Sequence, residues 1–564
     1  IAALEIMVIG KREYDTQVNG DGTDSNHNGE VVPQVTSSSP SSTPLPSPPV
    51  KAKRLRSLDI LRGITIIFMI LVNTQGADPF VQLAHSEWFG YTLADWVFPN
   101  FIFMVGMAVA IVLSPSKLTA MSQEEAIPPR VVSFRNGHQK RLRMSLKIIK
   151  RSILLFTLGI ALAALGLIGV PKEQLWVRIP GVLQRISFCY LVLAMSVLWA
   201  PVGSASVQVG LPVVCTTLWF ILTYSIQSTA TEPLPGCQYP PSLISPEGDI
   251  LPGGPPVRGQ LSPSWCTAQA FLDTILVSQK KDPNNPVFDS EGTIGNLTAI
   301  VTAWFGWMMG SAVMEQQRQQ KTDDKRLITD FEAQAAMEEE RRKWEQSSEG
   351  QQTIQSGTEH RQSSLSTQVL QYRLQVQRRS SQLAHLGEWF MVGVCVMYGG
   401  TILGWFLPIC KGLWTPSFTL HSAGISIIAL CILIFLYDIA PVPSTKSTTL
   451  PLTGKLAHTS KLAWQKIERG LLAFGRGCAG LLICYGRNPT LIYVLSEVVK
   501  FILDMIHVDG KFDWIKSVWS YLFFNSFITF MPAPWASLIF SLVYILLFAP
   551  LMWYLNKKRI YLRL

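Results

Sequence analysis

What constrains this chain most is a series of about ten apolar runs, each close to the roughly 20 residues a helix needs to cross hydrocarbon. They lie near residues 58–75, 92–113, 151–170, 180–200, 207–227, 294–314, 387–407, 417–438, 486–506 and 536–555. A backbone surrounded by lipid must satisfy its own hydrogen bonds, so runs of this length predict helices. Composition agrees: 48% of the residues are hydrophobic and only 15% are charged, which excludes an ordinary soluble multidomain protein. The expected fold is all-α, a polytopic membrane protein of about ten transmembrane helices.

Ten spans put both ends of the chain on one side. The segments on that side (51–56, 114–151, 201–206, 315–386, 439–485 and 556–564) hold 34 Lys and Arg. Those on the other side (76–91, 171–179, 228–293, 408–416 and 507–535) hold 8. The positive-inside tendency makes the first set, and with it both termini, cytosolic. The net charge of +10 then belongs to membrane flanks and a lipid bilayer, and gives no reason to expect nucleic acid.

The spans divide the chain. Residues 1–50 are polar and then rich in Ser and Pro, a disordered tail without the apolar core of a signal peptide. Residues 51–314 form the first part of a transmembrane core, with a Pro- and Gly-rich luminal loop at 228–293 that packs over it. Residues 315–386 read as a charged, Gln-rich cytosolic linker in which QAAMEEERRKWEQ suits a solvated helix. Residues 387–564 complete the core. Of nine cysteines, Cys237 and Cys266 share the luminal loop, where an oxidising lumen favours a disulfide. No CxxC or Cys/His spacing suggests zinc, and no metal is expected. The sequon Asn296-Leu-Thr298 lies at the membrane face and is expected to stay unmodified.

Chemistry is concentrated between Arg54 and Gly106, where Asp59, Arg62, Asn73, His85 and Asp95 interrupt or border the first two apolar runs. Charged groups at such places cost a few kcal/mol by insertion scales and mark function. Of eight histidines, five fall in cytosolic segments, which leaves His85, His421 and His507. His85 follows Asn73 by 12 residues. Read from the residues alone, each keeps two roles. His85 is a base near neutrality or a solvated loop residue. Asn73 bonds a carbonyl, orients His85 or ends a helix. Asp59 and Arg62, three residues apart, pair on one helix face, and Arg62 also suits a phosphate. Asp95 orients a catalytic group or bonds Trp88. Lys147, Lys150 and Arg151 flank a span or meet nucleotide phosphates. Arg185, with Arg178, pairs with Asp95, Glu87 or a substrate.

A resemblance narrows these choices. SLDILRG, then VN, then AHSEWFGYTLADWVFPNFIF resembles the heparan-α-glucosaminide N-acetyltransferase family. So do RIPGVLQRISFCYLV (178–192), FDSEGTIGNLTAIVTAWFGWMMG (288–310), KGLWTPSFTL (411–420) and, more weakly, GRNPTLIYVLSEVV (486–499). The resemblance implies a membrane-bound N-acetyltransferase with acetyl-CoA as cosubstrate and the amine of a luminal amino sugar such as glucosamine as acceptor. It places the active-site histidine at His85 and a supporting asparagine at Asn73; from the crossing after Val72, His85 is expected to face a cavity lined by the first two spans, with Asn73 close by. It also implies an endomembrane of lysosomal or vacuolar kind rather than the plasma membrane, and a homodimer is the assembly to test. The competing classes are a transporter, for which internal repeats would be expected, and an acyltransferase for a different luminal polymer or amine.

Overall fold

A computed structural model describes residues 55–126, 133–168, 179–201, 203–228, 257–262, 264–276, 288–348, 356–439, 477–508 and 517–562. The N-terminal tail, Arg178, Cys237 and most of 228–293 lie outside the described residues. The architecture is that of an all-α polytopic membrane protein. Among the described residues eight helices are long and apolar enough to cross a membrane. In chain order the elements are α1 (Arg56–Asn73), α2 (Leu93–Val112), α3 (Pro115–Ala126), α4 (Ser133–Leu165) and α5 (Val182–Trp199). A π-turn at Ser206–Gly210 leads into α6 (Leu211–Ser225). Two-residue strands β1 (Gln227–Ser228) and β2 (Val257–Arg258) then pair antiparallel. The remainder is α7 (Ala268–Leu276), α8 (Gly295–Ser348), α9 (Ser356–Leu403), α10 (Pro416–Tyr437), α11 (477–487), α12 (Pro489–Met505), α13 (Val518–Leu522), α14 (Ala533–Leu547) and α15 (Ala549–Lys557).

Two expected spans fall short of the other eight for physical reasons. α1 forms as expected but carries Arg56, Asp59 and Arg62 within its 18 residues, which dilutes its apolar character. The run near 486–506 is broken: α11 ends before Asn488, and α12 restarts at Pro489 with 17 residues. Proline pushes the residue before it out of the helical region, and Asn488 sits at φ −129°, ψ 51°.

The segment 315–386 differs more. Instead of a linker, most of it continues two transmembrane helices, so that α8 runs for 54 residues and α9 for 48. Gln, Glu, Lys, Arg and Ala are strong helix formers even without an apolar face. Arg378 Nε donates to Asp324 Oδ1 at 2.7 Å and Gln382 Nε2 to Gln320 Oε1 at 3.4 Å, tying the two extensions together.

α2 is the central helix. It packs on α1, α5, α8 and α10, and protein buries 72% of its apolar stretch, against 17% for the spans in α4 and α9. Those peripheral helices leave their apolar side chains to lipid. A very close crossing joins α2 to α8, where a Cβ on Gly106 would strike the Ala303 carbonyl and one on Gly306 the Phe103 carbonyl. Only glycine permits that separation. Inside the bundle, Asn100 on α2 donates to Thr65 Oγ1 on α1 at 2.6 Å, and the threonine hydroxyl donates on to the Leu61 carbonyl at 2.7 Å. Three apolar clusters close around this axis, with Phe98 and Ile102 facing α5, Phe103 and Met107 facing α8 and α10, and Val97 facing the cluster built on α1 and α14.

Candidate active site

The site is assembled where α2 begins. Thr92 and Asp95 form a reciprocal cap: the threonine side chain accepts from the Asp95 N–H, and the carboxylate accepts from the Thr92 N–H at 3.2 Å. This satisfies two of the N–H groups that every helix start leaves free. The same Asp95 Oδ2 accepts from Ser86 N at 3.1 Å and Ser86 Oγ at 2.9 Å. A local capping motif thereby folds the connection between α1 and α2 back onto its own helix. That brings His85 to Asp95, with Nδ1 at 2.9 Å from Oδ1.

Asp95 is fully buried, whereas the His85 side chain is 49% exposed. A buried, ionised carboxylate at this distance fixes the imidazole as the Nδ1–H tautomer and leaves a lone pair on Nε2. Such a pair has the geometry that a general base with its orienting group needs. Asp95 thus contacts His85 and not Trp88, which donates instead to the Leu261 carbonyl at 2.9 Å.

A third group arrives from far along the chain. Lys411 Nζ lies 3.2 Å from Asp95 Oδ1 and 3.1 and 3.4 Å from His85 Nδ1 and Nε2. Gly90 N donates to the Ile409 carbonyl at 2.9 Å and docks the 404–415 turn onto the α1–α2 connection. Trp414, fully buried, holds that turn at φ 49°, a left-handed conformation costing a bulky residue roughly 1–2 kcal/mol. Burial of Lys411 lowers the affinity of its amine for the proton, and the Asp95 charge opposes this. Next to it Cys410 is free and buried, and its thiol is pushed up to about 11, which leaves it a thiol rather than a nucleophile near neutrality. Lys411 was missed from the sequence. The only signals were its place in KGLWTPSFTL and its being the sole basic residue of 408–416.

The other expected residues go elsewhere. Asn73, exposed at the end of α1, donates to Glu497 Oε1 at 2.9 Å, and its carbonyl accepts from Lys500 Nζ at 2.7 Å. It joins α1 to α12 rather than bonding His85. Arg62 pairs with Asp59 Oδ1 at 3.7 Å, and Arg487 approaches Asp59 Oδ2 at 3.7 Å, so the buried carboxylate sits between two cations. Arg185 is buried away from Asp95: it donates to Asn296 Oδ1 at 2.9 Å and to the Ser290 and Gly292 carbonyls at 3.2 and 3.0 Å, and stacks 4.8 Å from the Trp414 ring. This occupies the sequon as well, since Thr298 is buried and its hydroxyl donates to the Trp414 carbonyl. Lys147, Lys150 and Arg151 lie exposed along α4, within the helix rather than beside it, because α4 begins at Ser133. The buried cation there is Arg141, bonded to the Leu198 carbonyl and to Ser122. His421 bonds Thr401 Oγ1 at 3.0 Å and packs against Tyr91. Cys266 is disulfide-bonded, and its expected partner Cys237 lies outside the described residues. A cavity of about 490 Å³ opens between α6, α8 and α10, lined by Val213, Phe220, Val301, Trp304 and Thr419. Its walls are not the first two spans expected to face His85.

Residues 54–233 match the family "Heparan-alpha-glucosaminide N-acetyltransferase, catalytic". The matched segment includes α1, the connection bearing His85, and Asp95. Two relatives carry the name heparan-alpha-glucosaminide N-acetyltransferase. The Mus musculus protein is 27% identical over 310 residues, 50% of this chain and 42% of that protein. The Homo sapiens protein is 29% identical over 289 residues, 46% of this chain and 39% of that protein. The chain spans about two fifths of the length of the curated relatives it matches.

Proposed function

We propose that this chain is a membrane-embedded acyltransferase that moves the acetyl group of acetyl-CoA onto the amine of a glucosamine-type amino sugar. The observation that carries this is the His85–Asp95 pair at 2.9 Å, with the carboxylate buried and the imidazole half exposed. Attack of an amine on a thioester needs a base for the amine proton. His85 Nε2 supplies it, and Asp95 stabilises the imidazolium that forms. The proton then passes to the departing thiolate. His85 follows α1 and precedes α2, so it stands at the membrane face opposite both cytosolic ends assigned by the charge asymmetry. Acetyl-CoA approaches from the cytosolic face, where Lys147, Lys150 and Arg151 are exposed to meet its phosphates. The acceptor comes from the other side. The disulfide at Cys266 supports an oxidising, luminal environment there, as in an endomembrane compartment.

The test is transfer across a sealed bilayer. Purified protein is placed in proteoliposomes with labelled acetyl-CoA outside and glucosamine inside. Acetylated sugar in the lumen is the expected product. Accumulation of free amino sugar outside, without acetylation, would establish a carrier instead.

A further inference from the structure

Lys411 sits closer to both catalytic groups than charge neutralisation requires. Asp95 already receives four hydrogen bonds on Oδ2 and one from His85 on Oδ1. The His85 Nδ1 proton is committed to that carboxylate, so Nδ1 has no lone pair to offer the ammonium. Of the three Lys411 N–H groups, one is therefore spent on Asp95 Oδ1 at 3.2 Å. A second can reach the unprotonated His85 Nε2, 3.4 Å from Nζ, and among the described residues the third has no acceptor. A proton acceptor and an uncommitted cationic donor thus border the same space. In acyl transfer those are the two places where charge changes: at the attacking nitrogen and at the carbonyl oxygen.

We propose that Lys411 is the oxyanion donor of this site, holding one N–H on Asp95 and directing another at the thioester carbonyl oxygen. This rests on the acyltransferase reading above. In the step, the acceptor amine forms a C–N bond to the carbonyl carbon, and the C=O π pair moves onto the oxygen facing Lys411. His85 Nε2 takes the amine proton. Collapse restores C=O, breaks the C–S bond and returns that proton from His85 to the thiolate, giving amide and free coenzyme A. The turn bearing Trp414 at positive φ fixes the ammonium before substrate arrives, so little reorganisation is left for the reaction itself. Glu291 and Arg185 are the remaining charges acting on Lys411; their signs oppose, which leaves Asp95 its anchor.

The experiment compares wild type, Lys411→Met and Lys411→Arg in proteoliposomes, with full kcat and KM profiles against pH. Retention of an acetyl-CoA-dependent thermal shift marks the variants as folded. Lys411→Met is expected to lose kcat at least 100-fold on the plateau above the acid limb with KM for acetyl-CoA unchanged, since loss of one oxyanion donor costs about that much. Lys411→Arg is expected to recover at least tenfold of the loss. A Lys411→Met enzyme whose plateau stays within threefold of wild type, with only the acid limb displaced, would overturn the proposal, because Lys411 would then act on His85 alone. Recovery of less than threefold by a folded Lys411→Arg enzyme also counts against it. Absence of transfer by wild type under any condition would defeat the underlying acyltransferase reading, a result distinguishable from either.

Discussion

Ser86 Oγ donates to Asp95 Oδ2 at 2.9 Å, and its backbone N–H donates to the same oxygen at 3.1 Å. Ser86 thereby fastens the residue next to His85 to the first turn of α2. The two atoms of the Asp95 carboxylate divide the work: Oδ2 holds the backbone in place and Oδ1 faces the imidazole and the lysine.

That division separates two substitutions. Asp95→Asn keeps the shape but replaces the carboxylate that fixes the imidazole tautomer. Turnover should fall by about 100-fold or more. Ser86→Ala removes one of several bonds to Oδ2 and should cost less than about tenfold, as loss of a single neutral hydrogen bond suggests. Steady-state rates for the two variants decide it, and equal losses would contradict the division.

His85→Ala should remove acetyl transfer while leaving acetyl-CoA binding intact. His421→Ala should lose far less, because His421 bonds Thr401 and packs on Tyr91 rather than meeting Asp95. A labelled acetyl-CoA assay with a parallel binding isotherm checks both. Near-normal turnover in His85→Ala would remove the histidine from the mechanism.

Asn73 makes a different prediction from the one its sequence position suggests. It clamps α1 to α12 through Glu497 and Lys500. Asn73→Ala should lower stability by about 1 kcal/mol, typical of one hydrogen bond, with a much smaller loss of kcat than His85→Ala. If kcat collapses while the melting temperature stays fixed, Asn73 reaches the reacting atoms after all.

Asp273 sets a pH dependence of stability. Burial holds its carboxyl above the usual carboxylate range, against the two hydrogen bonds from Thr293 that favour the charged form. The folded protein therefore binds this proton more tightly than the unfolded chain. The resulting stabilisation is full below the unfolded value of about 3.9 and is lost as pH rises through the higher folded value. The melting temperature of wild type should thus drop between pH 4 and pH 7 by more than that of Asp273→Asn. Parallel melting curves of the two proteins would refute the assignment.

Much of this was legible in the chain. The apolar runs gave the helices because lipid leaves the backbone few alternatives. His85 and Asp95 stood out because polar groups are costly where they lie. Three things were hidden. Lys411 is separated from His85 by 326 residues, and no local pattern connects a lone lysine to a distant histidine. Asn73 lies only 12 residues from His85, but the end of α1 turns it toward α12, so nearness in sequence misled. The segment 315–386 lacks an apolar face, yet 315–348 and 356–386 are helical because the spans they continue nucleate them and their residues readily propagate a helix.

The glycine crossing of α2 on α8 has a consequence for turnover. Asp95 stands on the first turn of a helix whose backbone, three turns further on, rests directly on that of its neighbour. Nothing compressible lies between them, so α2 acts as an anvil. Whatever yields when substrates enter and products leave is then the more exposed material laid against it, the 74–92 connection. Any movement that turnover requires is expected there rather than in the helix beneath.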